Sequence, residues 1–408
     1  MPSSFRQIDP PQRLLMGPGP VNAHPRVLRA MSADLLGQFD PEFTAYMNEV
    51  MGLYRPIFGT ENKWTFLIDG TARSAIEASL ISLASPGDRV LVVNFGRFGL
   101  LLTEILARIG AEVRTVDAEW GKTVPMDEIA AAIADFEPKV VATVHGDTST
   151  TMAQPLEGLG ELCRKAGAYS YVDATATVGG MEIAADRWGV DIVTGGLQKC
   201  LGGPSGSAPI TISDRAAKHI FDRRHTELGI KRDDLEQGSG QRIGSNYFDL
   251  AMVMDYWSEK RLNHHTEATS MLYAARECAC VSLEEGLAER FERHRLAGKA
   301  MTAGLRAMGL TVFGDDAHRM TNVTGVYIPE TVEGERVRQR MRDDFEIEIG
   351  TSFGPLQGKI WRIGAMGYNA AKNKVLITLG ALEAVLRTEG HSVPSGAAVD
   401  AALEAYTS

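Results

Sequence analysis

KWTFLIDGTARSAIEASLISLASPGDRVLVVNF, residues 63–95, decides the class of fold. It opens with KWTFLID (63–69), an apolar run of strand length. TARSAIEASLISLAS (71–85) follows, with Ile76, Leu80 and Leu83 spaced to share one face of a helix. SPGD stops that helix, and RVLVVNF (89–95) begins a second continuous apolar run. A strand with one wet face alternates polar and apolar residues, whereas an unbroken run suits a strand covered on both faces. Strand, helix and strand of this kind predict a parallel sheet sandwiched between helices.

The alternation continues to about residue 210. GLLLTEILARIGA reads as a helix, EVRTVDA as a strand, and MDEIAAAIADF as a helix with Asp127 placed as its N-cap. KVVATVHG (139–146) is a strand, LEGLGELCRKAG a helix, and YSYVDAT and DIVTGG are strands. The polar stretch 223–250 has little periodicity and is expected to be a long functional or interface loop. A helical region is predicted from Thr266 toward Gly309, with a change of domain inside it near 282–295. Beyond it NVTGVYI and KIWRIG read as strands, and GERVRQRMRDDF and NKVLITLGALEAVLRTEG as helices. Val375, Leu379, Leu382 and Leu386 lie on one face of the last. The expected division is an N-terminal arm (1–20), a large domain (21–285) and a smaller C-terminal α/β domain with an edge strand (286–408).

Bulk properties narrow the function. The 408 residues are 44% hydrophobic and 23% charged, with a net charge of −10. No basic stripe stands out, so nucleic acid is not an expected partner. No apolar run is long enough for a bilayer, and the first residues lack a signal-peptide core, so a cytoplasmic protein without a membrane partner is expected. The four cysteines form neither a disulfide framework nor a zinc motif. His264 and His265 are the only adjacent histidines, and neighbours on a helix do not converge on one ion, so no metal is expected.

In parallel sheets chemistry gathers at the carboxyl ends of the strands. Asp69–Arg73, Asn94–Phe98, His145–Thr150, Asp173 and Lys199 all fall at such ends. Lys199 sits in GLQKCLGGPSG (196–206), among residues that let backbone approach closely. A surface ion pair is one reading of it. The other is a Schiff-base lysine, which needs a confined pocket to lose its proton. Asp173, 26 positions earlier, could face the ring nitrogen of pyridoxal 5'-phosphate (PLP) and keep it protonated. DGTARSAIEA (69–78) is a turn into a helix N-terminus, where free N–H groups suit a phosphate. Gln198 and Thr266 could add neutral donors to that phosphate. Phe98 could stack on the ring, and Arg362 could hold a substrate carboxylate through a bidentate guanidinium. Each alone also has an ordinary structural reading, as cap, core aromatic or ion pair. Their order along one chain is the layout PLP chemistry requires.

In this order the sequence resembles the fold-type I PLP aminotransferases (class V) of the alanine/serine–glyoxylate group. GPGPVNAHPRVL (17–28), HGDTST (145–150), VDATATVGG (172–180), GLQKCLGGPSG, NHHTEAT (263–269) and GKIWRIGAMG (358–367) carry the likeness. GQFDPEFT (37–44), SNYFDL (245–250) and TSFGPL (351–356) are most similar to the branch that takes ureidoglycine as donor and glyoxylate as acceptor. The resemblance implies a mostly parallel seven-stranded sheet, a homodimer with shared active sites, and PLP joined to Lys199 with Asp173 against its pyridinium. It implies Phe98 as the stacking aromatic and Thr148 near the phenolic oxygen. It implies Thr71, Ala72, Arg73 and Gln198 around the cofactor, with Thr266 from a second subunit. Asn263 stands where alanine–glyoxylate relatives carry Tyr, and Arg73 where they carry His. Gln38 and Asn263 are carboxamides, with donor and acceptor atoms to match a ureido group. They are expected, with Arg362, to bind substrate. Alanine or serine–glyoxylate transamination is the nearest alternative, then pyridoxamine–pyruvate transamination. A desulfurase would need a mobile Cys, and EIEIGTSFGPLQG (346–358) has none.

Overall fold

The computed structural model describes residues 7–231 and 237–407. Its large sheet has seven strands: β1 (Trp64–Gly70), β2 (Arg89–Asn94), β3 (Glu112–Asp117), β4 (Val140–Val144), β5 (Tyr169–Asp173), β6 (Ile192–Thr194) and β7 (Gly206–Ile212). Their order across the sheet is β1-β7-β6-β5-β4-β2-β3. β7 runs antiparallel to both neighbours, and the other adjacent pairs are parallel. The α/β class and the mostly parallel seven-stranded sheet are therefore as expected. Continuous burial explains the runs: every residue of β4 is buried, as are five of the six in β2. Helix Ala72–Leu83 follows β1 and helix Arg97–Ile109 follows β2, each packing an apolar face on the sheet.

β7 was not legible as a strand. Pro209 lies at its centre, and proline argues against a central strand. The ladder tolerates it, because the Pro209 carbonyl accepts from Gly195 N–H at 2.7 Å. Asp127 is not the N-cap either. Pro125 precedes helix Met126–Phe136, and Asp127 lies in its first turn, where a negative charge still complements the helix dipole. The region from Thr266 to Gly309 is two helices, Thr269–Glu285 and Leu287–Ala307. Gly286 breaks them at φ +86°, a conformation that favours glycine. In the 223–250 stretch, the described residues between Arg223 and Asp249 form no helix or strand, and 232–236 lie outside the described residues.

The C-terminal part holds a three-stranded antiparallel sheet, β8 (Val323–Tyr327), β9 (Gly350–Thr351) and β10 (Ile360–Gly364), with β10 in the middle. Two main hydrophobic clusters form. One is built from Val27 to Ala279, the other from Ala297 to Ala405 with Met16 added. We propose Gly286 as the division between large and small domains, since it lies between these clusters. The N-terminal residues return to the small domain: Leu14–Leu15 pair with Ile347–Glu348, and Gly364 N–H bonds the Met16 carbonyl at 2.8 Å. No helix among the described residues is long and apolar enough to cross a membrane.

Leu91 is fully buried in β2. Leu91→Ala is expected to lower unfolding free energy in urea by about 2–5 kcal/mol, the usual cost of a core cavity. A loss under about 1 kcal/mol would mean that this face of the sheet is not close-packed.

Candidate active site

The sheet reverses direction of growth between β2 and β4, the kind of switch point where open α/β sheets bind ligands. A cavity of about 320 Å³ opens at the carboxyl ends of these strands. Its wall contains Thr71, Ala72, Arg73, Phe98, Thr148, Asp173, Gln198 and Lys199, which are the expected cofactor residues except Thr266.

Lys199 lies in a five-residue π-helical turn, Leu197–Leu201, between β6 and β7. Its own backbone departs from the helix, at φ −114° and ψ −128°. Its Nζ donates to the Pro18 carbonyl. A Cβ at Gly19, where φ is +100°, would sit 2.5 Å from Nζ. Gly19 is thus the space in which the lysine lies, supplied by a segment 180 positions away in the chain. Burial, with the nearby Arg362 charge, lowers the Lys199 pKa to about 8. An amine in that range yields a much larger neutral, nucleophilic fraction near neutrality than an ordinary lysine.

Asp173 ends β5 near the middle of the sheet. It is buried, and burial raises its pKa, while Thr175 N–H holds Oδ1 at 2.9 Å. A carboxyl so placed gains from a cation in the cavity. Thr71 is the N-cap of helix Ala72–Leu83, yet its side chain makes no capping bond. Its hydroxyl and the Ala72 and Arg73 N–H groups are left for a ligand, while Ser74 N–H bonds the Thr71 carbonyl at 2.8 Å. Gln198 Oε1 is buried without a hydrogen-bond partner. These features fit PLP: an anion cradle, a ring face from Phe98, a carboxyl at the far end, and an amine of lowered pKa.

Asp147 was missed as a positioning residue, although HGDTST contains it. It is fully buried. Its Oδ2 accepts from Phe98 N–H at 2.8 Å, and its Oδ1 from Ser149 Oγ at 2.6 Å. Gly96 leaves it room, since a Cβ there would be 2.5 Å from Asp147 Cγ. Asp147 therefore fixes the start of helix Arg97–Ile109, and with it Phe98. Only the position of Asp147 at a strand end could have signalled this.

Arg362, in β10, is outside the cavity wall but behind it. Nη1 donates to the Thr148 carbonyl at 2.8 Å and Nε to the Thr351 carbonyl at 2.6 Å. Only Nη2 makes no hydrogen bond among the described residues, so the expected bidentate grip is not free in this conformation. Phe353 stacks 4.9 Å from the guanidinium. Thr266, Asn263 and Gln38 are also outside the wall. Thr266 and Asn263 are exposed. Gln38 Nε2 donates to Asn263 Oδ1 at 3.1 Å, so the two expected specificity residues meet each other. All four cysteines are free; burial raises the Cys200 pKa, and Asn322 Nδ2 donates to its Sγ at 2.8 Å.

The class V aminotransferase family model matches residues 29–355, and the chain belongs to that family of PLP enzymes. It is 52% identical to the (S)-ureidoglycine–glyoxylate transaminase of Bacillus subtilis, over 99% of this chain and 98% of that one. The crystal structure of the ureidoglycine–glyoxylate aminotransferase from Bacillus subtilis superposes with a TM-score of 0.93 at 50% identity, covering 99% of this chain and all of the other. The alanine–glyoxylate aminotransferase of Drosophila melanogaster is more distant, 34% identical over 94% of each chain.

Two outcomes follow. The rate at which cofactor-free protein takes up PLP should rise with pH through about 8, as Lys199 loses its proton, in stopped-flow absorbance. A rise centred near the ordinary lysine value, about 10.4, would contradict the geometry. Gly19→Ala should weaken PLP binding at least about tenfold, about 1.4 kcal/mol, in equilibrium titration, because its methyl occupies the lysine's space.

Proposed function

We propose that this aminotransferase moves the amino group of (S)-ureidoglycine to glyoxylate, giving oxalurate and glycine. The observation that carries the transaminase chemistry is Lys199, with its lowered pKa, in one cavity with Asp173, Phe98 and the open start of helix Ala72–Leu83. Bound PLP would supply an electron sink for the carbanion formed at the donor's α-carbon. Lys199 Nζ removes the α-proton and hands it on. Asp173 holds the ring nitrogen's proton. Phe98 would hold the cofactor's ring and Thr148 would serve its phenolic oxygen, both from the wall of the same cavity. Thr71, Ala72, Arg73 and Gln198 bind the phosphate end. Arg362 Nη2 meets the carboxylate common to donor and acceptor.

The choice of donor rests on the Gln38–Asn263 pair. Their mutual bond uses one donor and one acceptor. Gln38 Oε1 stays without a partner, and the Asn263 amide nitrogen makes no hydrogen bond among the described residues. An acceptor and a donor side by side complement the N–H and carbonyl of a ureido group. Both lie outside the cavity wall of their own chain, and Thr266 shares the exposed segment of Asn263. That supports a homodimer in which each copy completes the other's site. Free cysteines suit a reducing cytoplasm. Small-molecule substrates are the partners, with no role for nucleic acid or membrane.

Lys199→Ala should lower transamination by several orders of magnitude while the protein keeps its fold by circular dichroism. Near-normal turnover would defeat the assignment. Gln38→Ala and Asn263→Ala should each raise KM for freshly generated ureidoglycine about tenfold or more, the worth of one lost hydrogen bond in a site. Alanine, assayed against the same glyoxylate, should be little affected. Equal losses with both donors would refute a ureido-specific role.

A further inference from the structure

The exposed segment that carries Asn263 and Thr266 is anchored by a buried charge cluster. His265 Nε2 lies 3.2 Å from Asp69 Oδ2 and 3.6 Å from Glu267 Oε2. Asp69 and Glu267 are both buried. Asp69 is near the end of β1, two positions before the Thr71 cap, and its Oδ2 also accepts from Ala268 N–H at 2.8 Å. No hydrogen bond of good geometry reaches His265 Nε2 or either oxygen of Glu267, so these are ion-pair contacts.

Hydrogen-bond logic fixes the protons. His264 Nε2 is 3.2 Å from the Asn246 carbonyl, so it must donate. Burial lowers the His264 pKa, which leaves that ring neutral and its Nδ1 an acceptor. His265 Nδ1, 2.7 Å away, must therefore carry a hydrogen. A neutral His265 would then leave a bare Nε2 lone pair beside two carboxylates, at 3.2 and 3.6 Å. A proton on Nε2, a proton on Glu267 shared with Nε2, or a metal cation removes the conflict, and the pair of carboxylates favours the charged ring, which faces both. The rings of Tyr256 at 4.9 Å and Tyr247 at 5.6 Å flank His265, and aromatic neighbours favour an organic cation.

We propose that His265 is a half-buried imidazolium and a positioning residue: it ties the Asn263–Thr266 segment to the Asp69–Thr71 turn, so that the donors for a neighbouring copy's site and the local phosphate cradle are set as one unit. This rests on the PLP reading of the site. The groups facing His265 among the described residues are Asp69 from β1, His264 and Glu267 from its own segment, Tyr247 from the preceding loop and Tyr256 from helix Leu250–Trp257. Arg261 adds a positive charge acting on Glu267 and Tyr256. Burial disfavours the charged His265, but Asp69 and Glu267 outweigh it and raise its pKa to about 9. Burial also raises the pKa of Glu267. A histidine raised in this way stabilises the fold below its unfolded value of 6.5, and that contribution is lost as pH rises through about 9.

The test is equilibrium PLP binding and thermal unfolding of the cofactor-free protein, each from neutral pH to above the His265 transition. Wild type, His265→Gln and His265→Gln/Asp69→Asn are compared, with metal analysis of the purified protein. Wild type should lose PLP affinity and melting temperature through about pH 9. His265→Gln should bind PLP about tenfold more weakly at neutral pH and lack that step, because a buried carboxylate is left unpaired. Adding Asp69→Asn should recover part of the loss, which a merely space-filling histidine would not allow. Any step from Lys199 is common to all three. If His265→Gln does not fold, the wild-type step and the folding of the double variant decide. An unchanged affinity and step in His265→Gln, a flat wild-type profile, or stoichiometric metal in the wild type would overturn the proposal. A wild type that takes up no PLP would instead defeat the reading on which it rests.

Discussion

The structure depends on keeping one amine out of bulk water at the carboxyl edge of a parallel sheet. Burial lowers the pKa of Lys199 to about 8 and so enlarges the neutral fraction of the amine, but a lysine is costly to bury and flexible when it is not. The chain meets both problems with backbone. A π-helical turn aims the side chain, the Pro18 carbonyl receives Nζ, and Gly19 leaves the space it fills. The N-terminal segment that provides this contact is itself held by the C-terminal domain, through Leu14–Leu15 and Met16. The cavity thus joins the N-terminal segment to the large sheet, and the C-terminal part holds that segment from behind.

Arg362 connects these parts again. Among the described residues it is the one strand residue of the small sheet that bonds a wall residue of the large domain, and it does so while buried. Burial pulls its pKa down to about 10, so it stays charged at neutral pH. A carboxylate reaching Nη2 would therefore meet a guanidinium that Thr148 and Thr351 already hold in place. Such preorganisation lowers the cost of binding, because little side-chain freedom remains to be lost.

Much of this was legible in sequence, for physical reasons. Unbroken apolar runs between helical periodicities determine a buried parallel sheet, and strand-end polar residues then fall on one edge. Lys199, Asp173 and Thr71 were placed on that edge in this way, and they line one cavity. Antiparallel β7 was not, because Pro209 hides it. A change of domain was expected at this point, but the break of the helix at Gly286 was not, because the helical composition continues across it. Gly19 and Asp147 act through space that other residues occupy, which no local pattern records. The His265 cluster was invisible for a related reason. Its carboxylates come from β1 and from the segment after helix Leu250–Trp257, nearly 200 positions apart. Spacing alone discounted the adjacent histidines as a metal site, and said nothing of a buried ion pair.

The central claim is that Lys199 is the covalent attachment point. Borohydride reduction of PLP-loaded protein, followed by peptide mapping, tests it directly. The account predicts one pyridoxyl group per chain, on the peptide containing Leu197–Leu201 and borne by Lys199. A pyridoxyl group on another lysine, or none on the loaded protein, would contradict it.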